Sequence, residues 1–247
     1  MPLFRRTIFL FTCLLSLVGC DSEPQQVKEK LPLQVFTALP TTVKAPADNP
    51  VTQEKIALGR LLFFDPILSG DKDVSCATCH HPDQGYAEFR DISIGVNGRG
   101  LGSKRTFKSP NSIPFVKRNA HTILNTAFNG MDPYGRYQPE TGEMFWDSRV
   151  EGLEKQAVEP ILAFEEMRGL HYEEDQILPE VVQRLRRIPE YQDLFTEAFG
   201  PGDLTSEKLG QAIATFERSL VTTNSRFDQF MRGDREAISS AELEGFE

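Results

Sequence analysis

The residues best suited to do chemistry stand together in Cys76-Ala-Thr-Cys79-His80. Two thiols three residues apart share one helical turn, so both can add to the vinyl groups along one edge of a porphyrin. The imidazole that follows is placed to reach the iron. A Cys-x-x-Cys pair alone also serves redox exchange or half of a zinc site. The adjoining histidine, an export-type N-terminus and the lack of a second cysteine pair point instead to covalent haem c, one in this chain. His81 reads as a solvent-facing neighbour. An electron carrier closes the sixth iron position, usually with methionine, and Met131, Met144, Met167 and Met231 are available. A catalytic haem leaves that position open among acid–base groups. Spacing does not separate these two cases.

The N-terminus reads as targeting. Arg5 and Arg6 precede an apolar run over 7–18, too short to span a bilayer as a helix. The run ends in Leu17-Val18-Gly19-Cys20, which resembles a lipobox. A signal peptide over 1–19, lipidation of Cys20 and a periplasmic, membrane-anchored protein are therefore expected. Cys13 then leaves with the signal, and no thiol remains for a disulfide. The formal charge of −9 argues against nucleic acid and for a basic protein partner. A 39% hydrophobic content is enough for a globular core. Residues 20–50, polar and dotted with prolines, are expected to form a tether.

Helical periodicity begins after Pro50 with Ala57, Leu58, Leu61 and Leu62, and Pro66 stops it. Residues 71–119 are rich in Gly, Ser and Asn, as a loop wrapped around a prosthetic group would be. Asp147 or Ser148 is placed to cap a helix that runs through Glu159 and ends at Pro160. Pro179 suits a first turn, Pro189 opens another helix and Gly200 closes it. Leu209, Ile213, Phe216 and Leu220 form one stripe on a long helix capped by Thr205. Ser239 and Glu242 form a capping box before Leu243 and Phe246. A helix cut off so soon after its start suggests truncation. With no alternating runs of note, the class is all-α.

Four blocks, "CATCHHPDQGYAE", "RNAHTILNTAFNG", "FWDSRVEGLEKQAVEPILAFEEM" and "FERSLVTTNSRFDQFMRGD", together resemble the bacterial di-haem cytochrome c peroxidases and their MauG-type relatives. The resemblance implies two cytochrome-c-like domains: a peroxidatic haem domain over 51–200, then the first helices of a second, incomplete domain over 201–247. It implies peroxide reduction with electrons from a small donor cytochrome or cupredoxin, and a possible homodimer. His80 matches the proximal ligand. Trp146 matches the tryptophan between the haems, and Gln156, Pro160 and Glu166 match the distal pocket. Asn119 matches a residue that helps bind calcium. A carboxyl held over the haem can move the proton that peroxide cleavage requires, and an amide beside it can hold the peroxide.

Three departures stand out. Val96 occupies the position of a histidine that blocks the iron in relatives needing reductive activation, and valine cannot ligate iron. His121 replaces a proline and is expected to be structural, while His171 is expected on the surface. No second Cys-x-x-Cys-His is present, although the family implies a second haem in the full-length protein. The rivals are a MauG-type enzyme that oxidises residues of a partner protein and a mono-haem electron carrier.

Overall fold

Two helices packed almost in backbone contact share the main hydrophobic core of the described residues. The computed structural model describes residues 36–246, and these fall within one compact unit. Helix α1 (Gln53–Phe64) starts at Thr52, whose side chain accepts the Lys55 amide, and stops at Asp65. Pro66 disfavours helical backbone at the residue before it. Leu58, Leu62 and Phe63 are fully buried, whereas Leu61 points outward, half exposed, on the opposite face. Among the described residues eight further α-helices follow: α2 (Cys76–Cys79), α3 (Leu153–Gln156), α4 (Glu159–Leu162), α5 (Glu174–Arg186), α6 (Pro189–Phe199), α7 (Ser206–Ser219), α8 (Arg226–Met231) and α9 (Ser240–Phe246). α7, capped by the Thr205 hydroxyl, lies along α1 and buries Leu209, Ile213 and Phe216. A Cβ on Gly59 of α1 would sit 2.0 Å from the Ala212 carbonyl oxygen, so only glycine permits this approach.

The small β-pairs β1 (Gly98–Arg99) with β2 (Thr106–Phe107) and β3 (Glu143–Met144) with β4 (Val150–Glu151) are antiparallel turn clamps in a helical fold. Among the described residues no helix is long and apolar enough to cross a membrane. The leader expected over 1–19 and the lipidation expected at Cys20 fall outside the described residues.

Several expectations need correction. The single helix expected from Asp147 or Ser148 to Glu159 is replaced by β4 and then α3 and α4. Ser148 has left-handed backbone (φ 54°), and the Asp147 carboxylate is taken by Arg118 and Arg149 at 2.8 Å each, so neither residue caps a helix. Pro160 opens α4 instead of ending a helix. Pro179 lies inside α5, which starts earlier because Gln176 and Glu173 cap one another. α6 opens at Pro189 and is closed by Gly200, as expected.

The described part of the 20–50 segment is laid against the body. The Leu39 amide donates to Asp228 (2.8 Å), and fully buried Asn49 donates to Glu154 (2.8 Å) and the Gln211 carbonyl (3.1 Å). α7, expected in a second domain from residue 201, shares one core with α1. Its apolar stripe buries Leu209, Ile213 and Phe216 in the cluster that also holds Leu58 and Leu62 of α1. The capping box at Ser239 and Glu242 forms, and Phe246 meets Phe36 and Phe227 edge-on at 5.4 and 5.0 Å.

Candidate haem site

One turn of helix carries the attachment motif. Ser75 and Thr78 cap α2 reciprocally, with the Ser75 amide donating to the Thr78 hydroxyl at 2.9 Å. Cys76 and Cys79 therefore emerge on one face, both as free thiols. They open into a cavity of about 600 Å³, within the range of small-molecule and cofactor sites. Protein surrounds each sulfur on the other sides, and this burial raises both thiol pKa values, that of Cys79 to about 12.

His80 ends the turn. Its Nδ1 lies 3.1 Å from the Tyr86 carbonyl, and burial lowers its pKa to about 4, so the ring is neutral. A neutral ring that donates Nδ1–H to a carbonyl leaves the Nε2 lone pair for a metal. Two unpaired thiols on one turn, an oriented imidazole and a cavity shared by all three fit haem c bound through Cys76 and Cys79 with His80 on the iron.

Gln156 of α3, Pro160 of α4 and Glu166 line the same cavity. Glu166 sits in a π-helical turn, Phe164–Arg168, a wide turn found mostly at functional sites. There the amides of Glu166, Met167 and Arg168 converge on the Ala163 carbonyl at 3.1–3.3 Å. Arg168 pins the turn through the Leu162 carbonyl (2.8 Å) and the Tyr172 carbonyl (3.1 Å). On its other side the 93–98 loop presses in, where a Cβ on Gly95 would sit 2.0 Å from the Glu165 carbonyl oxygen. Burial holds the Glu166 carboxyl above the usual range. Arg149 and Lys117 partly oppose that shift, and Glu165 and Glu159 add to it.

Trp146 lines the cavity yet is 64% exposed. Its indole N–H donates to the Asn119 carbonyl at 3.0 Å, and the His121 ring meets it edge-on at 5.4 Å. Read by itself, a lone tryptophan belongs in a core; here it stands at the surface. The Asn119 amide nitrogen donates to the Glu88 carbonyl (3.3 Å) and to that of Arg90, so the residue ties two loops together. Among the described residues no three His, Cys, Asp or Glu side chains gather around a candidate metal position, at Asn119 or elsewhere.

His121 bonds the Thr122 carbonyl (2.8 Å) and also lines the cavity. His81 is half-buried and accepts the Asp83 amide (3.3 Å). His171 is on the surface, paired with Asp71. Val96 is buried in the hydrophobic core and is not part of the cavity wall. Of the four candidate methionines, Met144 and Met167 reach the cavity; Met131 and Met231 do not.

Sequence reasoning missed Glu217, which lines the cavity from α7 and is 5% exposed. Its signal was an acid eight residues after Leu209, on the apolar stripe.

The family profile described as Di-haem cytochrome c peroxidase matches residues 53–236. The Methylamine utilization protein MauG of Methylophilus methylotrophus is 35% identical over 207 residues, covering 84% of this chain and 52% of that protein. A cytochrome c551 peroxidase of Nitrosomonas europaea is 30% identical over 244 residues, covering 99% of this chain and 60% of that protein. A solved MauG-like protein associated with microbial copper homeostasis matches with a TM-score of 0.62 at 25% identity, over 91% of this chain and 54% of that one. The chain thus spans about half the length of the curated relatives it matches. Its attachment motif, its cavity and these matches agree: the chain belongs to the di-haem cytochrome c peroxidase family.

Proposed function

We propose that this chain is the peroxide-reacting part of a periplasmic cytochrome c peroxidase, H2O2 + 2 e− + 2 H+ → 2 H2O. The observation that supports this most is that Cys76, Cys79 and His80 share one cavity with Gln156 and Glu166. Cys76, Cys79 and His80 would hold haem c, which would supply an iron able to bind peroxide and exchange electrons. The Gln156 amide hydrogen-bonds the peroxide. The Glu166 carboxylate accepts a proton from it and returns that proton to the departing oxygen, which leaves as water. Pro160 shapes the wall between them. Trp146, at the cavity mouth, passes electrons inward from a small donor cytochrome or cupredoxin. Lipidation at Cys20 would hold the protein at a membrane, and calcium at Asn119 would need ligands beyond the acidic side chains described.

The test is to express the chain with haem-attachment machinery, measure covalent haem, and mix the product rapidly with H2O2. Peroxide consumption that Glu166→Gln abolishes supports the proposal. An iron closed by Met144 or Met167 and inert to peroxide would instead make the protein an electron carrier. A second reading, MauG-type oxidation of a partner protein, draws support from Val96, whose side chain leaves the cavity unblocked. It predicts oxidised residues on a bound partner and no turnover with a donor cytochrome.

A further inference from the structure

Glu217 is a buried acid for which the proposed reaction has no use. It lies on α7, 5% exposed, and its side chain faces the cavity that holds Cys76 and His80. Its Oε2 is buried without a hydrogen-bond partner. The neighbouring Arg218 guanidinium is bonded to Glu154 at 2.8 and 3.0 Å, and its charge only partly offsets the burial of Glu217. Lys55 of α1 is turned to Asn49 (3.0 Å), and Arg184 of α5 to the Ser69 and Gly70 carbonyls (2.6 and 3.1 Å). The charges that act on the carboxyl are those of Arg218 on its own helix, which favours the carboxylate, and Glu154 from α3, which opposes it; the carboxylate in turn acts on the Cys76 thiol of α2. An unpaired carboxylate in such a place is costly, so the balance between the carboxylate and the protonated acid is sensitive to any change of charge across the cavity.

We infer that Glu217 is the proton partner of haem reduction: its carboxylate binds a proton when the haem iron accepts an electron and releases it when the electron departs. The inference rests on the haem reading above. The balanced step is Glu217–COO− + H+ + Fe3+ + e− → Glu217–COOH + Fe2+. The proton comes from solvent and the electron from the one-electron donor. An added electron makes the buried carboxylate less favourable still, whereas the oxidised iron's extra positive charge favours it. One carboxyl, without changing any ligand, then makes the reduction potential depend on pH.

The test is the midpoint potential of the haem-loaded chain, set by an electrode and followed by absorbance across neutral and alkaline pH. In the wild type the potential should fall as pH rises through the region near 8, where burial places the Glu217 carboxyl. The slope should approach about 59 mV per pH unit, one proton per electron. Glu217→Gln should flatten that segment and give the higher potential at the alkaline end. Infrared difference spectra between the two redox states should contain a carboxylic acid C=O band that the variant lacks. A flat wild-type curve, or a slope unchanged in the variant, would overturn the assignment while leaving the haem reading standing. If Glu217→Gln does not fold, Glu217→Asp serves in its place, and a slope that keeps its pH position in that variant overturns the assignment. A chain without covalent haem would overturn both.

Discussion

Gly59 of α1 and Ala212 of α7 meet so closely that a Cβ on the glycine would lie 2.0 Å from the alanine carbonyl oxygen and 2.9 Å from the Phe216 Cβ. The obstacle is backbone, so no side-chain rotation relieves it. Gly59→Ala should therefore force the helices apart and cost at least about 1–3 kcal/mol, the usual range for overpacking. Urea denaturation measures this. Gly245→Ala in α9, with nothing within 4 Å of the added methyl, is the matched control and should change little.

Glu166 is proposed as a base, so its ionised form is the active one. Burial raises its pKa, and the ionised fraction therefore grows only as pH climbs past the ordinary carboxylate range. The rate of reaction with H2O2 should rise with pH through that displaced pKa and then level off. Glu166→Gln should lower the rate by about 10²–10⁴-fold and remove the rise. Stopped-flow absorbance at several pH values reads both effects. A rate that is highest in acid would reject the base role.

Trp146 is the sole tryptophan and is 64% exposed at the mouth of the cavity. Its fluorescence should be that of a wet indole in the haem-free chain and should be strongly quenched once haem is attached beside it. Trp146→Phe removes the N–H that donates to the Asn119 carbonyl and should slow re-reduction by a donor protein after a peroxide pulse. Quenching titrations and double-mixing kinetics check the two statements separately.

Glu217 also leaves a mark on stability. Its folded pKa, about 8, lies above its ordinary value of 4.5, so between these pH values the folded chain holds a proton that the unfolded chain has lost. The contribution is complete below the unfolded value and disappears as pH rises through the folded one, so stability falls with pH across that window. Glu217→Gln should escape this fall, gaining on the order of a few kcal/mol over the wild type by the alkaline end. Paired urea titrations of the haem-loaded wild type and variant at several pH values measure the difference.

Local rules made part of this protein legible from its sequence. The i, i+3 spacing of Cys76 and Cys79 sets both thiols on one turn wherever that turn is placed. Pro66, Gly200 and Thr205 mark helix ends through their own backbone and side-chain chemistry. Glu166, Gln156 and Pro160 came from the resemblance, because nothing in their spacing alone says that they face one cavity. The tertiary structure decided what depends on distant partners. Asp147 is claimed by two arginines and caps no helix. Asn49 is drawn out of a nominal tether into the core by Glu154 and Gln211. α7 joins α1 because its apolar stripe needs a surface to bury against. Glu217 becomes a buried acid only once α1 and α3 pack against α7. Capping and spacing act within a few residues and can be read along the chain, whereas burial and charge pairing are set by neighbours that only the folded chain assembles.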